Sequence, residues 1–250
     1  MMHFDEHMNA PSGRVHSIQS LGTLDGPGIR HVTFLQGCPL RCGCCHNPDT
    51  WDTEGGITYT PEALLAEATR FREYFAHGGG VTLSGGEPLL QASFATAYFR
   101  LCKEAGLSTC LDTSGCMLND NVRELLAVTD RVLLDIKYPS DESYRKHVGT
   151  SLSAVLIFLD TLEQMQIPTT LRTVVIPGLT DTEEHETFLA QLVRTHDCVD
   201  AVECLPFKKI CSVKYESMGI PFPFADIPAA DATRAREMQE RVTAGYQKEY

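Results

Sequence analysis

Short apolar runs alternate with stretches of helical spacing along most of the chain. Arg14 to Ser20, His31 to Gln36, Val81 to Leu83, Leu107 to Leu111, Arg131 to Leu134, Thr169 to Ile176 and Val199 to Cys204 read as strands. Between them lie amphipathic segments. Thr60 suits an N-cap and Pro61 a first helical position; Leu64, Ala68, Phe71 and Phe75 then share one face until Gly78-Gly79-Gly80 ends the helix. Further helices are expected from about Ala92 to Ala105, stopped by Gly106, and around Asn121 to Val128. Others fall at Ser153 to Met165, Thr182 to Thr195 and Ala230 to Gln247. The first dozen residues are polar and without period, which predicts a flexible tail over 1–12 before a single domain over 13–250.

Strand then helix, repeated, predicts parallel strands joined by right-handed crossovers. About six repeats follow the N-terminal strand, fewer than the eight of a closed barrel. The expected fold is therefore α/β. The unusual sequences all fall just after strands: Gly22 to Gly28, Ser84-Gly85-Gly86-Glu87-Pro88, Asp112-Thr113-Ser114-Gly115, Asp135-Ile136-Lys137 and Leu205-Pro206-Phe207-Lys208. In parallel α/β folds that edge is where ligands bind.

Composition narrows the classes. With 250 residues and 43% hydrophobic content the chain can bury a full core. A formal charge of −12 argues against a nucleic-acid binder, which needs a basic face. No apolar run is long enough to span a bilayer, and Met1 to Ala10 has no apolar signal core. The ten cysteines are then expected in a reducing cytoplasm, as metal ligands or buried thiols rather than disulfides.

The cysteines concentrate in Gly37-Cys38-Pro39-Leu40-Arg41-Cys42-Gly43-Cys44-Cys45-His46-Asn47, which contains C-x3-C-x2-C. Three thiolates on a chain turned by Pro39 and Gly43 can converge on one centre. A four-iron cubane wants four ligands, and three would leave one iron open. Structural zinc on Cys38, Cys42, Cys45 and His46, or with Cys44 in place of one of them, is the alternative this stretch leaves standing. The other strand ends have plain readings too. Gly85-Gly86 suits a tight turn, Asp112 an N-cap, and Asp135 with Lys137 a surface ion pair. Arg172, inside an apolar strand, needs a partner for its charge.

The C-x3-C-x2-C motif resembles that of the radical S-adenosylmethionine (SAM) enzymes. The runs Gly22-Thr23-Leu24-Asp25-Gly26-Pro27-Gly28-Ile29-Arg30 and Cys45-His46-Asn47-Pro48-Asp49-Thr50-Trp51 are similar to the glycyl-radical activating enzymes, from about Gly13 to near the C-terminus. The resemblance implies a partial (β/α)6 barrel and a 4Fe–4S cluster on Cys38, Cys42 and Cys45, with SAM on the fourth iron. It implies SAM contacts from Cys44, Cys45, His46, Gly85, Gly86, Glu87, Asp135, Ile136, Lys137 and Lys208. Lys137 would meet the ribose, and Gly85-Gly86-Glu87 the amino group. Asp112, Thr113 and Asp135 would form a monovalent-cation site. Asp25, His46 and Arg172 would face the partner protein. The implied reaction is reductive cleavage of SAM to methionine and a 5′-deoxyadenosyl radical, which takes the α-hydrogen of a glycine in pyruvate formate-lyase under anaerobic conditions. Reduced flavodoxin or ferredoxin would supply the electron. Two positions depart from the family: Cys44, where an aromatic residue is usual, and Lys208, where a histidine is usual. Activation of another glycyl-radical enzyme is the nearest alternative, although His46 to Glu87 lacks the extra cysteines many such relatives carry. A zinc-stabilised binding module is the alternative from another class, and it leaves the strand-end motifs unexplained.

Overall fold

The computed structural model describes residues 11–76 and 78–244. The strands are β1 (Gly13–Gly22), β2 (Arg30–Leu35), β3 (Ile57–Tyr59), β4 (Gly80–Gly85), β5 (Ser108–Thr113), β6 (Arg131–Asp135), β7 (Thr169–Val175) and β8 (Val199–Pro206). They form one eight-stranded sheet in the order β3-β1-β2-β4-β5-β6-β7-β8. From β2 to β8 every neighbouring pair is parallel. An open sheet with this parallel run is a partial (β/α)6 barrel. The helices are α1 (Pro61–Thr69), α2 (Ala92–Glu104), α3 (Asp120–Leu126), α4 (Asp141–His147), α5 (Leu152–Met165), α6 (Glu183–Thr195), α7 (Ser212–Met218) and α8 (Ala232–Thr243).

Three features differ from the pattern-based expectation. The sheet is not all parallel: β1 runs antiparallel to both β2 and β3, and β3 is a three-residue edge strand with little burial to mark it. Helix α1 ends at Thr69, and a 3-10 turn over Arg72–Tyr74 follows. Phe71 and Phe75 still pack on the core from that turn, so the apolar spacing outlasts the helix. Helices α4 and α7 went unread because each buries a single side chain, Tyr144 or Tyr215, and one anchor makes no period. Residues 1–10 of the expected tail, and residues 245–247 of the expected terminal helix, lie outside the described residues.

Caps fit the helix starts: Thr60, Asn119, Ser140, Ser151, Thr182 and Asp231 each accept a backbone N–H from the first turn. The core lies between sheet and helices, from Leu35, Val81 and Leu83 on the early strands to Leu171 and Val175 on β7. Arg30 is fully buried within it. Its guanidinium donates to Thr82 Oγ1 at 2.6 Å and to the carbonyls of Pro27, Gly78, Val81 and Ser108. One cation thereby ties the Gly22–Gly28 loop to β4 and β5.

His185 of α6 is also buried, with Nε2 2.8 Å from Thr173 Oγ1 on β7. Burial pushes its pKa down from 6.5 to about 4. The unfolded chain therefore takes up this proton first as pH falls. The His185 contribution to stability is complete above about pH 6.5 and is lost down to about pH 4, at up to about 1.4 kcal/mol per pH unit. We predict that His185→Asn flattens this acid limb in urea denaturation curves measured between those pH values. An unchanged limb would mean that other groups control acid unfolding.

Candidate active site

Strand β2 delivers the cysteine loop. Gly37, with φ +96°, turns the chain out of the strand, and its N–H donates to Thr50 O at 2.8 Å. The loop is then gripped from both sides. Arg41 N–H donates to Val148 O and Gly43 N–H to His147 O, each at 2.9 Å, which ties it to the end of α4. Tyr215 of α7 donates its hydroxyl to Cys45 O at 3.2 Å, and Lys214 Nζ reaches Asn47 Oδ1 at 2.8 Å. Gly43 is needed for space, since a Cβ there would stand 2.4 Å from the Phe224 ring.

Facing the loop, the end of β4 runs through Gly85 and Gly86. Gly86 N–H donates to Leu35 O and Glu87 N–H to Gly37 O, each at 2.9 Å. A Cβ on Gly85 would lie 2.4 Å from Leu35 N, and one on Gly86 2.1 Å from Gly37 O. These glycines let two backbones meet. Glu87 is buried and saturated. Its oxygens accept from Thr113 Oγ1 at 2.6 Å, Ser114 N at 3.0 Å, Leu89 N at 3.1 Å and the Ser114 hydroxyl. Burial raises its pKa, and these donors oppose the rise.

A cavity of about 250 Å³ opens between the two walls. Cys38, Cys42, Cys44, Cys45 and His46 line one side, and Gly85, Gly86, Glu87, Asp112, Thr113, Asp135, Lys137 and Arg172 the other. Asp112 accepts from Ser84 Oγ at 2.6 Å, and Arg172 lies 3.4 Å from its second oxygen. Burial raises the Asp112 pKa against the pull of Arg172. Lys137 Nζ sits 2.7 Å from Asp135 Oδ2; burial works against its charge, but the carboxylate wins and holds the ammonium above its usual range. Arg172 also donates to Leu24 O at 2.8 Å and lies 3.0 Å from Glu203.

Residues 32–190 match the model of the radical SAM superfamily. The chain is 43% identical over 229 residues to the pyruvate formate-lyase-activating enzyme of Clostridium pasteurianum, spanning 91% of this chain and 96% of that protein. It is 44% identical over 210 residues to the pyruvate formate-lyase 1-activating enzyme of Escherichia coli K12, spanning 83% and 85%. The chain belongs to the radical SAM superfamily, among the pyruvate formate-lyase-activating enzymes. A solved radical SAM methyltransferase from Sphaerobacter thermophilus shares the fold, with a TM-score of 0.61 at 16% identity over 93% of this chain and 75% of that one.

Radical SAM enzymes use a 4Fe–4S cluster and SAM, and the donor set fits both. Thiols stand on one wall, and acids with a lysine stand on the other, suited to a ligand carrying both charges. Among the described residues no three His, Cys, Asp or Glu side chains gather as one metal ion requires. A cubane takes its thiolates at separate corners, whereas zinc needs every sulfur within about 2.3 Å of one point. Burial pushes the Cys38 and Cys44 thiols up to about 12 and Cys42 to about 11, so cluster assembly must expel protons.

Three residues expected at the radical SAM site lie off the cavity wall. The Ile136 side chain is fully buried in the core, and its N–H donates to Arg172 O at 2.7 Å. Lys208 is exposed, and its carbonyl accepts from His46 Nε2 at 3.1 Å. That bond places the proton on Nε2. Asp25 follows Leu24, whose carbonyl Arg172 holds, and its pKa is raised by burial and by Asp112. The oxygens expected to hold a monovalent cation are bonded inside the protein, Thr113 to Glu87 and Asp135 to Lys137. Sequence reasoning missed Ser84, Ser114 and Tyr215. The two serines stand inside motifs already singled out, so their hydroxyls were open to notice; Tyr215 carries no local signal.

Gly86→Ala drives a methyl into Gly37 O, an overpacking cost of about 1–3 kcal/mol focused where β2 hands over to the cysteine loop. The expected result is a folded protein by circular dichroism that binds less than half the wild-type iron after anaerobic reconstitution. Full iron loading would show that the loop does not depend on this contact.

Proposed function

We infer that the chain activates pyruvate formate-lyase by installing a glycyl radical. The observation that carries this reading is one cavity joining the C-x3-C-x2-C thiols to three strand ends, in a chain matching activating enzymes over nearly their whole length. With cluster and SAM bound, one electron cleaves SAM to methionine and a 5′-deoxyadenosyl radical, which removes the α-hydrogen of a glycine in the partner.

The chain's own residues position and shield. Cys38, Cys42 and Cys45 hold the iron. Lys137 offers its ammonium to the ribose. The Gly85-Gly86 backbone faces the amino group, while the saturated Glu87 carboxylate fixes the wall behind it. A monovalent cation near Asp112 and Asp135 would take over the counter-charge now given by Arg172 and Lys137. Residues 13–250 act as one unit. Reduced flavodoxin or ferredoxin supplies the electron in a reducing cytoplasm; ten free cysteines support that setting, and no helix among the described residues is long and apolar enough to cross a membrane.

The direct test is anaerobic incubation with pyruvate formate-lyase, SAM and a reductant, read as glycyl-radical spin by electron paramagnetic resonance. No spin on this partner, with spin on another glycyl-radical enzyme, would reassign the substrate. Cys42→Ala should abolish iron binding, whereas Cys44→Tyr should retain it. Equal iron loss in both would overturn the ligand assignment. Arg172 anchors Leu24 O, and so the loop that carries Asp25. Arg172→Lys should keep methionine release within roughly twofold while radical installation falls about 100-fold, the cost of a misplaced near-attack geometry. A parallel fall in both would place Arg172 with SAM; no fall in either would make it structural.

A further inference from the structure

Arg172 is buried, and each of its three guanidinium nitrogens faces a different segment. Nη2 donates to Leu24 O at 2.8 Å in the Gly22–Gly28 loop. Nη1 lies 3.4 Å from Asp112 Oδ1 on β5, and Nε lies 3.0 Å from Glu203 Oε2 on β8. Only the contact with Leu24 has full hydrogen-bond geometry; the two carboxylates hold the cation by charge, and the buried Nε has no other acceptor. The guanidinium thus stands between two acids, and its one directed bond goes to the loop.

The sheet fixes Glu203 in this place. The register sets it directly beside Arg172 on the neighbouring parallel strand. On β8 the buried Val202 and Cys204 alternate with the more open Ala201, Glu203 and Leu205. Leu205 lines the cavity, and Glu203, on the same face, stands one step off it. Strand β8 ends the sheet, and among the described residues the one ion pair of Glu203 is with Arg172. An acid so placed acts through that cation. With Asp112 as the lone counter-ion, attraction would draw the guanidinium toward β5 and off Leu24 O. Leu24 is 76% exposed, more than any other large apolar side chain described, so the loop that Arg172 anchors offers a partner an apolar contact.

We propose that Glu203 is a positioning residue for radical transfer: by opposing Asp112 it keeps the Arg172 fork on Leu24 O, and so keeps the Gly22–Gly28 loop set for the partner's glycine segment. This rests on the reading that the chain installs a glycyl radical. Two further ties hold the same loop, Thr82 Oγ1 to Asp25 O at 2.7 Å and Arg30 Nη1 to Pro27 O at 3.1 Å. Loss of the Glu203 charge therefore loosens the Leu24 end and leaves the fold in place. An ion pair without this role would be a half-exposed contact of little consequence.

Glu203→Gln keeps the shape of the side chain and removes its charge. Hydrogen exchange read by mass spectrometry on the full chain, without partner, should be at least about threefold faster over residues 22–28 and unchanged over β4 to β7. In the reconstituted enzyme, methionine release without partner should stay within about twofold, while glycyl-radical spin on pyruvate formate-lyase falls at least about tenfold, inside the roughly 100-fold that a misplaced near-attack geometry costs. Glu203→Asp, which keeps the charge, should recover about half of the lost spin or more. Unchanged exchange over the loop in Glu203→Gln overturns the proposal. So does faster exchange across the whole sheet, an equal fall in methionine and spin, or an Asp variant as impaired as the Gln one. If the wild type itself installs no radical on this partner, the reading of the function fails, and the exchange measurement alone decides whether Glu203 holds the loop.

Discussion

Two backbones meet without side chains where β2 and β4 end, and the site depends on that contact. Gly86 N–H to Leu35 O and Glu87 N–H to Gly37 O extend the parallel ladder one step past the strands. The extension is possible only because Gly85 and Gly86 lack a Cβ, which would sit inside a neighbouring backbone, while Gly37 turns the chain at φ +96°. A sheet can tolerate glycine in its interior only at a cost in order, so glycine is kept where close approach demands it. Here the approach sets the width of the cavity. The thiol wall starts at Gly37 and the opposite wall at Gly86, and the two are hydrogen-bonded to each other at the root.

The same economy governs charge. Asp112 and Asp135 lie on neighbouring strands, and the register sets Asp135 beside Arg172 and Arg172 beside Glu203. Two half-buried acids facing one cavity repel, and each has its own cation: Arg172 for Asp112, Lys137 for Asp135. The cations carry different freedom. Arg172 spends its fork on Leu24 O and two carboxylates, so it ties the Gly22–Gly28 loop to the sheet as well as balancing charge. Lys137 is a single point charge on a flexible stem with one carboxylate contact, free to exchange that contact for a ligand hydroxyl.

Much of this was legible in the sequence because it is written in local signals. The alternation of strand and helix, the caps at Thr60 and Thr182, and the motifs at the strand ends all fall within a few residues of what they specify. What escaped reading depends on residues far apart in the chain. Antiparallel β1 and β3 pair across a long excursion, and nothing in three residues, two of them exposed, announces an edge strand. Tyr215 bonds to Cys45 from 170 residues away, and Phe224 explains Gly43 from farther still. The packing role of the glycines escaped reading for the same reason. A ligand and a neighbouring strand impose the same demand on a Cβ, and only the folded chain shows which one stands there. Ile136 was carried into the site by its neighbours Asp135 and Lys137, although alternation along an extended segment sends every second side chain to the other face.

The cysteine loop has almost no core of its own. Leu40 is its one buried apolar side chain, so the loop gains little from hydrophobic burial. Its shape comes instead from backbone groups on α4 and β4 and from side chains on α7, all belonging to elements that fold around the sheet. Such a loop can be ordered before any metal arrives, which differs from a zinc finger, where metal binding supplies the folding energy. Its thiols are then half-buried and protonated, and the cost of ionising them falls on cluster assembly rather than on folding. That division suits a site in which one iron must stay open. The sheet fixes where the loop's sulfurs stand, across the cavity from the wall of Gly85, Gly86, Asp135 and Lys137.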